Sequence, residues 1–332
     1  MKRGKKMFHK KTLFVLLAVL LAVSVVVTAS PQKETGKKVT IGFIQRVMNA
    51  PYYVAMWDTM SKRALKENFE LVAVSSEVDM QLHSKQVEDM IARKVDFCII
   101  NAVEPASEKA VDEQLLKAGI PIIYIDTYVK DIDSVTIIRS DNFNIGRYAG
   151  KSMAERFAGK AIKLLIIQGG PTDIEVGPDR FNGFLKGLEE NGANVTVVAR
   201  GIGNYTHEMG LKLTEDNLVA HPEINAIFGN NDSMALGALA ACQAAGRKDI
   251  LISGVDGQKE AFAEIKKGGS DGQYVSTGLN SPVLAAEDAV SVALSVIAGQ
   301  KKKGDFPKTQ FTKAVGVDSK NIDEYYDPKS VF

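Results

Sequence analysis

The chain has 332 residues, 45% hydrophobic and 24% charged, with 41 basic and 40 acidic side chains. That composition belongs to a globular protein of about two domains and excludes a disordered or low-complexity one. No excess of positive charge draws it to a phosphate backbone, so nucleic acid is not an expected partner.

Residues 1–29 stand apart. "MKRGKKMFHKK" is basic, "TLFVLLAVLLAVSVVV" is apolar and uncharged, and "VTA" before Ser30 puts small residues where signal peptidase cuts. The segment reads as a secretory signal peptide. A retained anchor is the alternative, since the uncharged stretch from Thr12 to Gln32 nears the roughly 20 residues that span a bilayer. No cysteine precedes Cys98, so lipoprotein attachment has no residue to use. The product is expected in the periplasm or outside the cell. Cleavage removes six basic residues and no acid, leaving a net charge near −5.

From Val39 onward, short apolar runs alternate with helical patterns, the signature of βα units and parallel sheets. The predicted strands are "VTIGFIQ", "FELVAVSS", "DFCIINA", "PIIYIDT", "SVTIIRSD", "IKLLIIQGG", "NVTVVARG", "INAIFGN", "ILISGVDG" and "GQYVSTGLN". Ten are too many for one small doubly wound sheet. Helices between them carry start and stop signals, including Pro51 in a first turn, Gly119 after "PASEKAVDEQLLKA" and Gly299 after "PVLAAEDAVSVALSVIA".

One joint breaks the alternation: "SVTIIRSD" follows "PIIYIDT" with no helix between them. Residues 140–142 are therefore expected to cross between two α/β lobes, with further crossings at "STGLNSP" and "DFPKTQ". The expected fold is α/β, two Rossmann-like lobes with parallel sheets joined by a three-segment hinge. The N-terminal lobe takes residues 39–140 plus 281–309, and the C-terminal lobe 141–280 plus 310–332. Cys98 and Cys242 sit in apolar patterns, read as small core residues, and fall in different lobes, so no disulfide is expected.

In open parallel sheets, ligands collect beyond the carboxyl ends of the strands. The first strand ends in "QRVMNAPYY", giving Arg46, Asn49, Tyr52 and Tyr53, and the fourth gives Asp126 and Thr127. In the second lobe the ends carry Asp179, Arg180, Tyr205, Asn231 and Asp256. Carboxylates accept charge-assisted bonds from hydroxyls, amides donate and accept, and aromatic faces cover the C–H side of a sugar ring. Taken singly, each residue is better explained as core or turn; their recurrence at strand ends reverses that.

Catalytic signatures are missing. "THEMG" lacks the second histidine of a zinc-binding HExxH helix, and there is no G-x-S-x-G elbow, Walker loop or dinucleotide fingerprint. Asp126 and Asp256 could serve a glycosidase as acid and base, but on hinged lobes their separation is unspecified. No enzyme activity, cofactor or metal is expected.

"NAPYY", "PIIYIDT", "RSDNFNIGRYAG", "AHPEINAIFGNNDSMALGALAACQAAG", "GVDG" and "SKNIDEYYD" together resemble a periplasmic sugar-binding protein of the ribose and galactose type, a type I periplasmic binding protein serving ABC importers. The resemblance runs from Val39 to about Tyr326. It implies stacking by Tyr52, Tyr53 and Tyr205, hydroxyl binding by Asp126, Asn231 and Asp256, and a ligand-touching hinge residue at Asn280. Asn231 would point into the cleft, with Asp232 left to cap the following helix. Effector domains of LacI-type repressors share this fold, but a signal peptide stands where their DNA-binding helices would be.

Three positions depart from the family pattern. Thr127 and Pro178 stand where many members carry arginines, and Arg46 stands where they carry a small or polar residue. Arg46 either supplies the lost guanidinium from another wall or pairs with Asp126. The expected function is capture of a small carbohydrate (aldose, polyol or sugar acid) for an ABC permease by a monomer, through Arg46, Tyr52, Tyr53, Asp126, Thr127, Arg180, Tyr205, Asn231, Asp256 and Asn280. A sensor partnered with a chemoreceptor is the alternative; a carbohydrate-acting enzyme is a more distant one.

Overall fold

The computed structural model describes residues 38–171, 173 and 175–332. The expected signal peptide lies outside them, and among the described residues no helix is long and apolar enough to cross a membrane.

The first sheet is built from β1 (Thr40–Gln45), β2 (Glu70–Ser75), β3 (Phe97–Ile100), β4 (Ile122–Ile125), β5 (Ile137–Arg139) and β11 (Thr309–Phe311). Its order is β11-β5-β4-β3-β1-β2, all parallel. Helices α1 (Pro51–Glu67), α2 (Met80–Arg93) and α3 (Lys109–Lys117) link the early strands. The second sheet contains β6 (Ile162–Gln168), β7 (Val195–Ile202), β8 (Ala226–Gly229), β9 (Leu251–Asp256), β10 (Tyr274–Leu279) and β12 (Gly316–Asp318). Its order is β12-β10-β9-β8-β6-β7, with only β12 antiparallel. Its helices are α4 (Asn142–Phe157), α5 (Val176–Glu190), α6 (His207–Ala220), α7 (Asp232–Ala244) and α8 (Lys259–Gly268); α9 (Pro282–Ile297) and the short α10 (Ile322–Tyr325) follow.

Helices on both faces explain why β1, β3, β4 and β8 are buried throughout and read as unbroken apolar runs. Successive residues still divide between faces. Phe97 and Ile99 join Met56 and Met60 of α1 and Val290 of α9, while Cys98 and Ile100 join Val87 and Met90 of α2 and Leu115 of α3. Each such side chain, fully buried, contributes about 1.5–3 kcal/mol relative to exposure. Both cysteines are buried and free.

The chain passes between the sheets at three places. β5 ends at Arg139 and α4 begins at Asn142 against the second sheet; β10 ends at Leu279 and α9 packs on α1 and the first sheet; β11 precedes β12. The third passage differs from the expected one after residue 309. Gln310 and Phe311 pair with Ile138 and Arg139 of β5, so the crossing falls at residues 312–315. A three-residue strand is too short to show a period in sequence. The C-terminal residues also depart from the expected second-lobe assignment: Ser330 O accepts from Lys259 of α8, but the Phe332 ring packs edge-on against Tyr52, centroids 5.9 Å apart, in the first lobe's core.

Ser140 ties the three passages together. Its hydroxyl donates to Asn280 Oδ1 at 2.6 Å and lies 2.9 Å from Thr312 Oγ1, both within hydrogen-bond range and buried.

Candidate functional site

The polar strand ends converge around this hinge. Tyr52 and Tyr53 open α1, where Pro51 holds the first turn and the Ala50 backbone is extended. The Tyr52 hydroxyl lies 3.2 Å from both Asp126 Oδ1 and Asn280 Oδ1, so its one proton serves either. On the other side of the hinge residue, Asn280 Nδ2 donates to Asp256 Oδ1 at 3.0 Å, and Arg180 Nη1 stands 3.1 Å from the same oxygen. A continuous polar chain therefore runs from Asp126 in the first lobe, through Tyr52 and Asn280, to Asp256 and Arg180 in the second.

Of the remaining expected residues, Arg46 and Thr127 attach to this chain through Asp126, while Tyr205 and Asn231 contact each other. Thr127 Oγ1 accepts from Arg46 Nη1 at 3.2 Å and lies 3.4 Å from Asp126 Oδ2. Of the two roles open to Arg46, direct pairing with Asp126 is replaced by this contact with its neighbour. Tyr205 donates its hydroxyl proton to Asp173, and its backbone oxygen accepts from Asn231 Nδ2 at 3.1 Å.

Asn231 takes the capping role expected of Asp232, and Asp232 is turned into the core. Asn231 is the N-cap of α7, its Oδ1 accepting from Met234 N at 2.9 Å. Asp232, fully buried, accepts from Gly257 N, Gln258 N and Thr277 Oγ1 at 2.8 Å each and from the Tyr274 hydroxyl at 2.6 Å. A cap needs an extended backbone, and only Asn231 has one (φ −145°, ψ 167°). Asp232 instead anchors the turn after β9 that carries Asp256.

Backbone geometry marks the same places. Asp126 (φ 64°), Tyr205 (φ 62°) and Asp256 (φ 131°) occupy the positive-φ region that β-carbons resist. Each costs about 1–3 kcal/mol and persists only where its surroundings enforce it, as at binding sites. Burial sets the electrostatics. It raises the Tyr52 hydroxyl well above its ordinary value, with Asp126 adding to the effect, and pushes Tyr53 up to about 12 against the influence of Arg46. Tyr205 is raised by burial and then by Asp173. Asp256 is pushed by burial up to about 7, although Arg180 opposes the shift. Burial works against the Arg180 charge too, yet Asp256 and its neighbours hold it above the ordinary range.

The structure brings in residues that the sequence reading passed over. Asn101, at the end of β3, donates to Gln45 Oε1 at 2.8 Å and accepts from Thr127 N at 3.3 Å. Asn142 Oδ1 accepts from Arg180 Nε at 2.8 Å, and Arg180 Nη1 donates to Asn230 O at 2.8 Å. The Asn230 amide is buried, and neither of its polar atoms has a partner among the described residues. Asn101 and Asn230 carried a usable signal, each being the first amide after an apolar strand; Asn142, the first residue of α4, was marked only as part of the crossing at residues 140–142.

A family profile described as a periplasmic binding protein domain matches residues 41–301. The ribose import binding protein of Bacillus subtilis (strain 168) is 31% identical over 274 residues, 82% of this chain and 87% of its own length. Among solved structures, an ABC transporter solute-binding protein from Mycobacterium smegmatis with bound glycerol superposes with a TM-score of 0.80 at 28% identity, covering 89% of this chain and 99% of that one. Another, from Actinobacillus succinogenes 130z with bound D-allose, gives 0.79 at 28% identity, covering 87% and 100%.

Proposed function

This chain belongs to the periplasmic binding protein family, and from that premise we propose that it captures a small carbohydrate between its lobes and delivers it to the membrane subunits of an ABC importer. The observation that carries this reading is the chain of contacts from Asp126 through Tyr52 and Asn280 to Asp256. It links one carboxylate of each lobe through a hinge amide, which supports a role for Asp126 and Asp256 in binding hydroxyls. A guest touching both carboxylates binds the closed arrangement better than the open one, which is the condition for a ligand to drive closure. Relatives named for ribose import and a neighbour holding D-allose support the ligand class. Once Asp256 is ionised, the two carboxylates Asp126 and Asp256 balance two guanidinium groups, Arg46 and Arg180, which favours a neutral aldose or polyol over a sugar acid. Binding without turnover, action outside the cytoplasm and a monomeric state belong to the same reading.

The test is a thermal-shift screen of the processed protein against pentoses, hexoses, polyols and sugar acids, with calorimetry on the hits. A ligand at a hundred times its Kd adds about 2.7 kcal/mol to apparent stability, a shift of several degrees for a protein of this size. One neutral class should bind at one per chain, and Asp256→Ala should abolish binding while the circular dichroism spectrum stays native. Turnover of a sugar, or no response to any carbohydrate, would overturn the reading; a response confined to sugar acids would assign Arg46 to the ligand.

A further inference from the structure

We propose that His83, Glu108 and Asp112 hold a divalent metal ion of the zinc class inside the first lobe, a structural site separate from the sugar cleft. His83 lies in the first turn of α2, Glu108 immediately precedes α3 and Asp112 lies within it; all three are fully buried. Their ligating atoms lie within 4.8 Å of one another. His83 Nε2 stands 3.3 Å from Glu108 Oε1 and 2.7 Å from Asp112 Oδ1. Ligands placed about 2.1 Å from one tetrahedral zinc lie about 3.4 Å apart, so the first pair, at 3.3 Å, already has that spacing and the second, at 2.7 Å, must open by about 0.7 Å.

The outer atoms of all three side chains are held by other groups, which leaves the inner ones aimed at a common point. His83 Nδ1 lies 3.5 Å from Ser76 Oγ, whose own proton goes to Gln86. Asp112 Oδ2 accepts from the Tyr124 hydroxyl at 2.6 Å, and Glu108 Oε2 accepts from Val103 N at 2.6 Å and Glu104 N at 2.9 Å. Such outer contacts orient metal ligands and fix the imidazole tautomer. The independent sign is Glu108 Oε1, a buried oxygen that accepts no hydrogen bond. Nε2 can carry one proton, and Asp112 is nearer. Glu108 Oε1, with His83 Nε2 at 3.3 Å but no proton directed at it, then shares one imidazole with a second carboxylate, a costly arrangement in a dry interior. A cation removes that repulsion. One imidazole and two carboxylates suit zinc or its first-row neighbours; calcium, which takes six to eight oxygens, is a poor match.

The competing filler is a proton on Glu108, and the experiment separates the two. Untagged protein is purified without chelators and its metal content measured by mass spectrometry; thermal melts follow for the protein as isolated, after chelation and dialysis, and after zinc is returned. One equivalent of metal per chain is expected, with a fall in Tm of several degrees on chelation that zinc reverses. Glu108→Gln mimics the protonated side chain but is a weak ligand, so it should lose the metal and melt like the chelated protein. Metal-free protein indifferent to added zinc, together with Glu108→Gln as stable as the parent, would overturn the proposal. Sugar-induced thermal shifts on the same samples report on the cleft independently.

Discussion

Asp256 shows how one side chain couples stability to ligand. Its carboxyl titrates near 3.8 in the unfolded chain and is raised by burial to about 7 in the fold, with Arg180 opposing. Between these values the folded protein retains a proton that the unfolded chain has lost. Its contribution to the stability of the ligand-free protein therefore falls as pH rises from about 4 to about 7 and is flat above. Hydroxyl donors need the carboxylate, so affinity should move the other way and strengthen from about pH 5.5 to 8. Asp256→Asn should flatten both slopes, read by denaturant melts and by calorimetry across that range. A ligand affinity independent of pH in the parent would show that Asp256 accepts nothing from the guest.

At the level of elements, the cleft is only as well placed as the helices behind it. Gly146 of α4 lets the backbone of α5 approach so closely that an added β-carbon would stand 2.1 Å from Arg180 O. The reciprocal approach occurs at Gly183, where a β-carbon would meet Phe143 O at 2.0 Å. Because the contact is backbone to backbone, no side chain can yield to relieve it. Gly146→Ala should destabilise the fold by about 1–3 kcal/mol and, by shifting Arg180, weaken sugar binding as well. Gly268→Ala, at a helical backbone angle with open space around it, should leave sugar binding unchanged and stability unchanged or higher, which makes it the control for melts and calorimetry.

Across the whole molecule, charges at the edge of the cleft bridge the lobes. From the first lobe, Lys130 Nζ reaches Glu175 Oε1 at 2.5 Å, and Arg139 lies 3.6 Å from Glu175 and 3.9 Å from Asp179, both in the second. Arg139 also rests over the Tyr128 ring, 5.1 Å from its centroid. Exposed pairs contribute little and are screened by salt, so Lys130→Ala should change affinity by less than about fivefold. Glu175→Gln cuts both partners at once; it should weaken binding more and reduce the dependence of affinity on ionic strength, measured by calorimetry at low and high salt. Equal salt dependence in parent and variant would remove these charges from closure.

What the sequence by itself determined is whatever depends on near neighbours. Alternating apolar runs and helical patterns named ten strands and two lobes, and the location of Asp126 and Asp256 at strand ends put them within reach of the same hinge residues, because a parallel sheet sends all its carboxyl ends the same way. Tertiary structure decided the rest. Asn231 and Asp232 are adjacent and chemically similar; backbone angle and the distant partners Tyr274 and Thr277 assigned one to the cap and the other to the core. The three residues of β11 needed β5 beside them, and Phe332 found Tyr52 only after the chain had crossed back. His83, Glu108 and Asp112 follow no ligand spacing and meet only because two helices pack on the same face of the first sheet. Periodicity is written locally, whereas the meeting of side chains far apart in the chain is set by packing, which no short stretch contains.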